Sequence, residues 1–125
     1  MYKIGKIDKN LYGDIAKDII TDEVVITEER IAHINASRGK GFYEKYSKYF
    51  CDVIANPDII FEDKKYTTAA VKRIDDEIIH LNLILRLATP ESGGDMKNSV
   101  ITAIGIGDKR LKTYIKNKKT IYKKE

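Results

Sequence analysis

The chain reads as an α+β domain in which N-terminal helices pack on one face of an antiparallel β-sheet. Three observations predict this. Two helical apolar stripes lie between residues 27 and 55, and four alternating extended segments follow between 58 and 106. The connections between those segments are too short for crossover helices, so neighbours should pair antiparallel, and a closing helix and strand complete the order.

Residues 1 to 26 read as short extended pieces, Tyr2-Ile4 and Val24-Val25-Ile26, separated by the breakers Asn10, Gly13 and Asp22. Thr27 is a good N-cap for the first helix. Glu28 and Glu29 suit the positive end of its dipole, and Ile26 can staple onto Ile31. Gly39 and Gly41 end it. A second helix, Phe42 to Ala55, carries Tyr43, Tyr46, Phe50, Val53 and Ile54 at helical spacing until Asn56-Pro57 stops it. The extended segments are Asp58 to Phe61, Thr67 to Ile74, Ile78 to Ala88 and Ser99 to Ile106. Their turn signals are Asp63-Lys64-Lys65, Asp75-Asp76-Glu77 and the longer loop Thr89 to Asn98. A helix from Asp108 to Asn117, capped by Asp108, and a strand from Thr120 to Lys123 close the chain.

With 125 residues, 42% of them hydrophobic and 34% charged with both signs mixed, the chain supports one domain with its own core. Cys51 is the only cysteine, which excludes an internal disulfide and fits a small apolar filler in a reducing compartment. The most apolar run, Ile78 to Ala88, is interrupted by His80, Asn82 and Arg86, so no membrane segment is expected. With only His33 and His80, and no carboxylate-histidine spacing, neither a metal site nor a cofactor is expected.

The net charge of +4 is concentrated at the carboxy-terminal end, where Lys109, Arg110, Lys112, Lys116, Lys118, Lys119, Lys123 and Lys124 face one acid, Glu125. A polyphosphate is the natural counterpart of such a surface, because lysines that neutralise phosphates release counterions. A solvated helix and edge strand would carry the same lysines.

Alternation puts Ile79, Leu81, Leu83, Leu85 and Leu87 on the core face of one strand and turns Arg86 to the other face. Antiparallel pairing then sets Asn98 and Ser99 beside Arg86 and brings Tyr66, Thr67 and Thr68 to the same end of the sheet. A polar strand end with its hydroxyls in turn bonds is the competing reading. On the first helix, Arg30, His33 and Ser37 lie along the flank of the buried stripe. By its helical spacing His33 reads first as a partly exposed boundary residue and second as a proton carrier. RNA cleavage by its own 2′-OH would use this inventory, since it needs a base, a cation for the charged phosphorane-like transition state and an acid for the leaving oxygen. The Tyr43 to Tyr49 run offers stacking surface, or simply a core stripe with solvated lysines.

Ile26 to Ile34, Tyr43 to Tyr49, Asn56-Pro57-Asp58, Leu85-Arg86-Leu87, Lys97-Asn98-Ser99 and Asn117 to Lys123 form an ordered set. That set resembles the phage-borne nuclease-like proteins grouped with barnase, EndoU, colicin-type tRNases and RelE, the PBECR group, over about residues 24 to 125. The resemblance makes residues 1–23 an N-terminal extension and 24–125 the family-like core of a single domain. It implies a curved antiparallel sheet of the RelE and barnase kind, metal-independent RNA cleavage to a cyclic phosphate, and a toxin-like role in phage or other mobile elements.

By position, His33 matches the family's helical histidine, Arg86 the strand cation, and Asn98 and Ser99 the polar pair opening the next strand. Tyr122 and the closing lysines match the basic end. The expected catalytic residues are therefore His33, Arg86 and Ser99, sharing one cleft. Arg30, Tyr46, Lys97, Asn98, Lys119 and Tyr122 are the expected substrate contacts. RNA is the expected partner, with an antitoxin or immunity protein as a second one, in the host cytoplasm. One departure is Arg38-Gly39, where relatives often carry Arg-His. Its absence motivates the alternative of an inactive nuclease-like module that binds nucleic acid or protein.

Overall fold

The structure, a computed structural model, describes residues 1–90 and 97–125, apart from the side chains of Asp14 and Ala16. Most of the expected 89–98 loop therefore lies outside the described residues. The elements are β1 (Tyr2–Lys6), β2 (Glu23–Ile26), α1 (Glu28–Arg38), α2 (Phe42–Tyr46), α3 (Phe50–Ala55) and β3 (Ile59–Glu62). They continue with β4 (Thr67–Ile74), β5 (Ile79–Arg86), β6 (Asn98–Ile106), α4 (Asp108–Asn117) and β7 (Thr120–Lys123). Among the described residues the strands form one sheet in the order β1-β2-β6-β5-β4-β3-β7.

The expected meander is present, since β3, β4, β5 and β6 pair antiparallel in sequence order. Two pairings join distant segments: β7 adds to β3 antiparallel, and β2 lies parallel to β6. Leu81, Leu83 and Leu85 point into the main core with Ile34, Phe50, Val53 and Ile54 from α1 and α3. α3 touches β1 as well as β4 and β5, which a flat sheet would hold apart, so the sheet curls around it.

The expectation of helices on one face alone is corrected by α4. Its Leu111 and Tyr114 cover a second cluster on the opposite face, formed by Ile59, Phe61, Ala69, Val71 and Ile84. The reason is visible in β3, where Ile59, Ile60 and Phe61 are all buried and so require a partner layer on each side. Nor do residues 1–23 stand apart as an extension. They supply β1 and the buried Ile7, Tyr12 and Ile19, and the Tyr12 hydroxyl donates to the Ile54 carbonyl at 2.9 Å. Burial raises the Tyr12 pKa.

Three local details differ from expectation. The Phe42 to Ala55 helix is broken by a 3₁₀ turn at Ser47–Tyr49. Cys51 is exposed rather than an apolar filler, although its Sγ would lie 2.8 Å from a Cβ placed on Gly5, whose φ is +153°. Asp108 does not cap α4. It is the first helical residue, and its Oδ1 meets His80 Nε2 at 2.6 Å with Arg73 Nη1 3.7 Å away.

The hydrogen bond from His80, followed by its charge and that of Arg73, holds the Asp108 carboxyl below its ordinary 3.8. A carboxyl depressed in the folded chain contributes stability above its unfolded value and loses it as pH falls through the lower folded value. Asp108→Asn should therefore melt below the wild type at neutral pH, with the gap closing below about pH 3.8. Circular-dichroism melts at pH 7 and in acid check this, and an unchanged gap would count against it.

Among the described residues, no helix is long and apolar enough to cross a membrane.

Candidate functional site on the β4–β5–β6 end of the sheet

The pairing register sets the site. Arg86 is the cross-strand neighbour of Thr67 on one side and Ser99 on the other, so a hydroxyl, a guanidinium and a hydroxyl stand in one row across β4, β5 and β6. Alternation turns this row to the face that carries Ile84 and α4, away from the leucine core. Arg86 is exposed and Ser99 half-buried. The Thr67 hydroxyl is already engaged in its turn, accepting from Lys64 N at 2.8 Å and lying 3.1 Å from Asp63 Oδ2.

Along the same face of β5 and β6, Asn82 Oδ1 and Thr102 Oγ1 are buried without a hydrogen-bond partner. Thr102 stands opposite Ile84, one step inward from the Arg86–Ser99 rung.

α1 borders the same strand from its other edge. β2 meets β6 only at Val24–Asn98 and Val25–Ser99, and beyond that the edge is taken up by α1, whose Arg38 Nε donates to the Ala103 carbonyl at 2.9 Å. Thr27 caps the helix as expected, accepting from Arg30 N at 3.2 Å. Ile34 is driven into the core, whereas Arg30, His33 and Ser37 are exposed. His33 lies about 100° around the helix from Ile34, so it does not follow that side chain under the sheet.

His33 and Arg86 come from different elements, α1 and β5, both of which contact β6. Arg86 is level with Ser99, and Arg38, the last residue of α1, meets β6 four residues farther along, at Ala103.

The other expected contacts divide. Asn98 is corrected from substrate ligand to internal brace: it is fully buried, its Oδ1 accepts from Ala88 N at 2.7 Å and its Nδ2 donates to the Thr21 carbonyl at 2.6 Å. Strand parity explains this, because Asn98 points to the opposite face from Ser99. Asn98→Ala strands a buried donor and acceptor and should cost about 2–4 kcal/mol of stability. Urea unfolding measures it, and a loss below about 0.5 kcal/mol would refute the brace.

Tyr46 is half-buried against Phe42, ring centroids 4.6 Å apart, and Tyr122 packs on the core from β7, so both are spent mainly on packing. Lys119 is exposed and pairs with Glu62 at 3.6 Å, and Lys97 is exposed near Met1.

By sequence, Asp63-Lys64-Lys65 is a turn signal. In the structure this turn walls a cleft of about 610 Å³ next to the Arg86 row. Tyr66, in the cleft wall, has φ +64°, the left-handed region that a bulky side chain rarely adopts. Its carbonyl accepts from Leu87 N at 2.8 Å, which ties the cleft to the end of β5. The basic turn was the available signal.

A family model described as phage-Barnase-EndoU-ColicinE5/D-RelE like nuclease2 matches residues 2–123. The chain belongs to the PBECR2 family. Comparison with curated proteins and with solved structures found no match. The PBECR2 match takes in β1 and the buried N-terminal segment, in keeping with their place in the sheet and core. Where the expected second histidine would stand, this PBECR2 chain has Gly39 at φ +118°, with nothing within 4 Å of a Cβ built there. Space does not exclude a side chain at that position, but the backbone conformation favours glycine.

Proposed function

We propose that this PBECR2 protein is a toxin-like endoribonuclease that cuts RNA by attack of the 2′-OH on the adjacent phosphate. The observation that carries the reading is the Arg86–Ser99 rung, a cation and a hydroxyl side by side on a half-open sheet face in a nuclease family. The scissile phosphate is placed over β6, with Arg86 neutralising the charge that grows on its oxygens and Ser99 holding one of them.

His33 reaches the phosphate from the β6 edge and moves the proton between the 2′-OH and the leaving oxygen. Because the nucleophile belongs to the substrate, no metal-activated water enters this scheme. Arg30 on the same helical flank and the lysines of α4 steer and hold the RNA backbone.

Gly39 in place of the second histidine favours a second reading, in which the domain binds RNA without cutting it. Incubation of a labelled RNA in EDTA decides between them. The ribonuclease reading requires 2′,3′-cyclic phosphate ends, while salt-sensitive binding with intact RNA would support the binding module instead.

A further inference from the structure

α4 covers the site face of the sheet over β3, β4 and β5, and farther on, at β6, β2 and β1, the same face carries residues that the cleavage scheme leaves unused. Cross-strand partners share a face, so the pairs Lys3–Val25, Lys6–Glu23 and Val25–Ser99 set Lys3, Lys6 and Glu23 on the side of Ser99 and Arg86. The burial of Val24 and Ile26 in the main core, on the other side, follows the same alternation. Lys97, two residues before Ser99, has its parity. Its ammonium reaches across β2 to Met1 Sδ at 3.4 Å.

Regular alternation would not give this arrangement. Lys3 and Lys6 are three residues apart and would face opposite sides of an ideal strand. A bulge between Lys3 and Gly5 adds one residue to β1 and turns both lysines to the same side. Gly5 holds it at φ +153°, and a Cβ there would lie 2.8 Å from Cys51 Sγ, so the irregularity is fixed by packing. Lysines anywhere along an edge strand would discourage stray pairing, but a bulge that aims two of them at the Arg86 face does more than that role asks. Lys3, Lys6 and Lys97 are exposed, and none of them is in an ion pair among the described residues.

We infer that this face is a track for the phosphates of single-stranded RNA, running from the Arg86–Ser99 rung over Lys97 to Lys6 and Lys3. The inference deepens the ribonuclease reading and rests on it for the position of the cleaved phosphate. β1 lies three strands from β5, about 14 Å at the usual spacing, so the track holds flanking nucleotides rather than the cleaved linkage itself. A single strand fits because in-line attack by the 2′-OH needs a linkage free to leave the A-form, where attacking and leaving oxygens are not aligned. Lysines contact phosphates without reading bases, so the track positions RNA of any sequence. Glu23, cross-strand from Lys6, is the one acid in the group and opposes binding.

A 2′-O-methyl RNA of mixed sequence cannot attack its own phosphates, so binding to it is read apart from cleavage. Anisotropy titrations over a range of salt compare wild type with Lys3→Ala, Lys6→Ala, Lys97→Ala and Glu23→Gln. Lys48→Ala, an equal loss of charge on the helical side, is the control. Each of the first three variants should lower the slope of log affinity against log salt by about 0.7, one phosphate contact on a single strand. Glu23→Gln should tighten binding, and Lys48→Ala should keep the wild-type slope. No binding by wild type, unchanged slopes in Lys3→Ala and Lys6→Ala, an equal loss in Lys48→Ala, or a duplex bound as tightly as the single strand would each overturn the track. Unchanged slopes in a protein that cuts unmodified RNA would remove the track and keep the ribonuclease reading. The expected slopes in a protein that leaves RNA intact would keep the track and remove the cleavage.

Discussion

Arg86→Ala is expected to slow RNA cleavage about 100- to 1,000-fold, the scale of losing one preorganised group that stabilises transition-state charge. Arg86 stands exposed at the end of β5, between Thr67 and Ser99, so its guanidinium reaches the face on which the substrate is placed. Rates are compared at equal concentrations of folded protein, because Arg86 also takes part in an interaction within the fold. Arg86→Lys keeps the charge but not the planar fork, and should recover only part of the rate. Single-turnover cleavage of a short RNA measures the effect. Wild-type rates in Arg86→Ala would remove the phosphate from this rung.

The second large effect is expected at His33. Its replacement by alanine should lower the rate about 100- to 10,000-fold, the usual range for a general acid or base. Because the side chain is exposed on α1, the vacated space stays open to solvent. Added imidazole should therefore restore part of the activity of His33→Ala and none of that of Arg86→Ala. Ile34, the residue that anchors α1, is untouched by this change, so the melting temperature should hold. Loss of activity with no response to imidazole, together with a falling melting temperature, would make His33 a structural residue.

Several features were legible because local chemistry decides them. Thr27 announced the start of α1, and the alternation in β5, with the Thr89 to Asn98 loop read as a hairpin connection, set Ser99 beside Arg86 before any fold was in view. Long-range pairing was not legible: nothing in Val24-Val25 names β6 as a parallel partner, and Tyr2 to Lys6 gives no sign that it borders β2. The second covered face was written in Ile59-Ile60-Phe61, a strand with no polar side, but the mixed composition of β5 drew attention away from it. Asn98 and Ser99 looked alike as polar residues opening a strand, and only their parity separates a buried brace from a group on the site face. The place of Tyr66 at this end of the sheet was legible, but its left-handed backbone was not, because no propensity argument expects an aromatic there.

Arg86 and His33 reach β6 from different elements, so the account stands on whether both act on one phosphate. The deciding measurement is the cleavage rate of one RNA in EDTA by wild type, Arg86→Ala, His33→Ala and the double variant. If both groups serve the same transition state, the double variant should be slower than the worse single variant by much less than the product of the two losses. Losses that multiply in full, or single variants that cut like wild type, would contradict a phosphate seated between them.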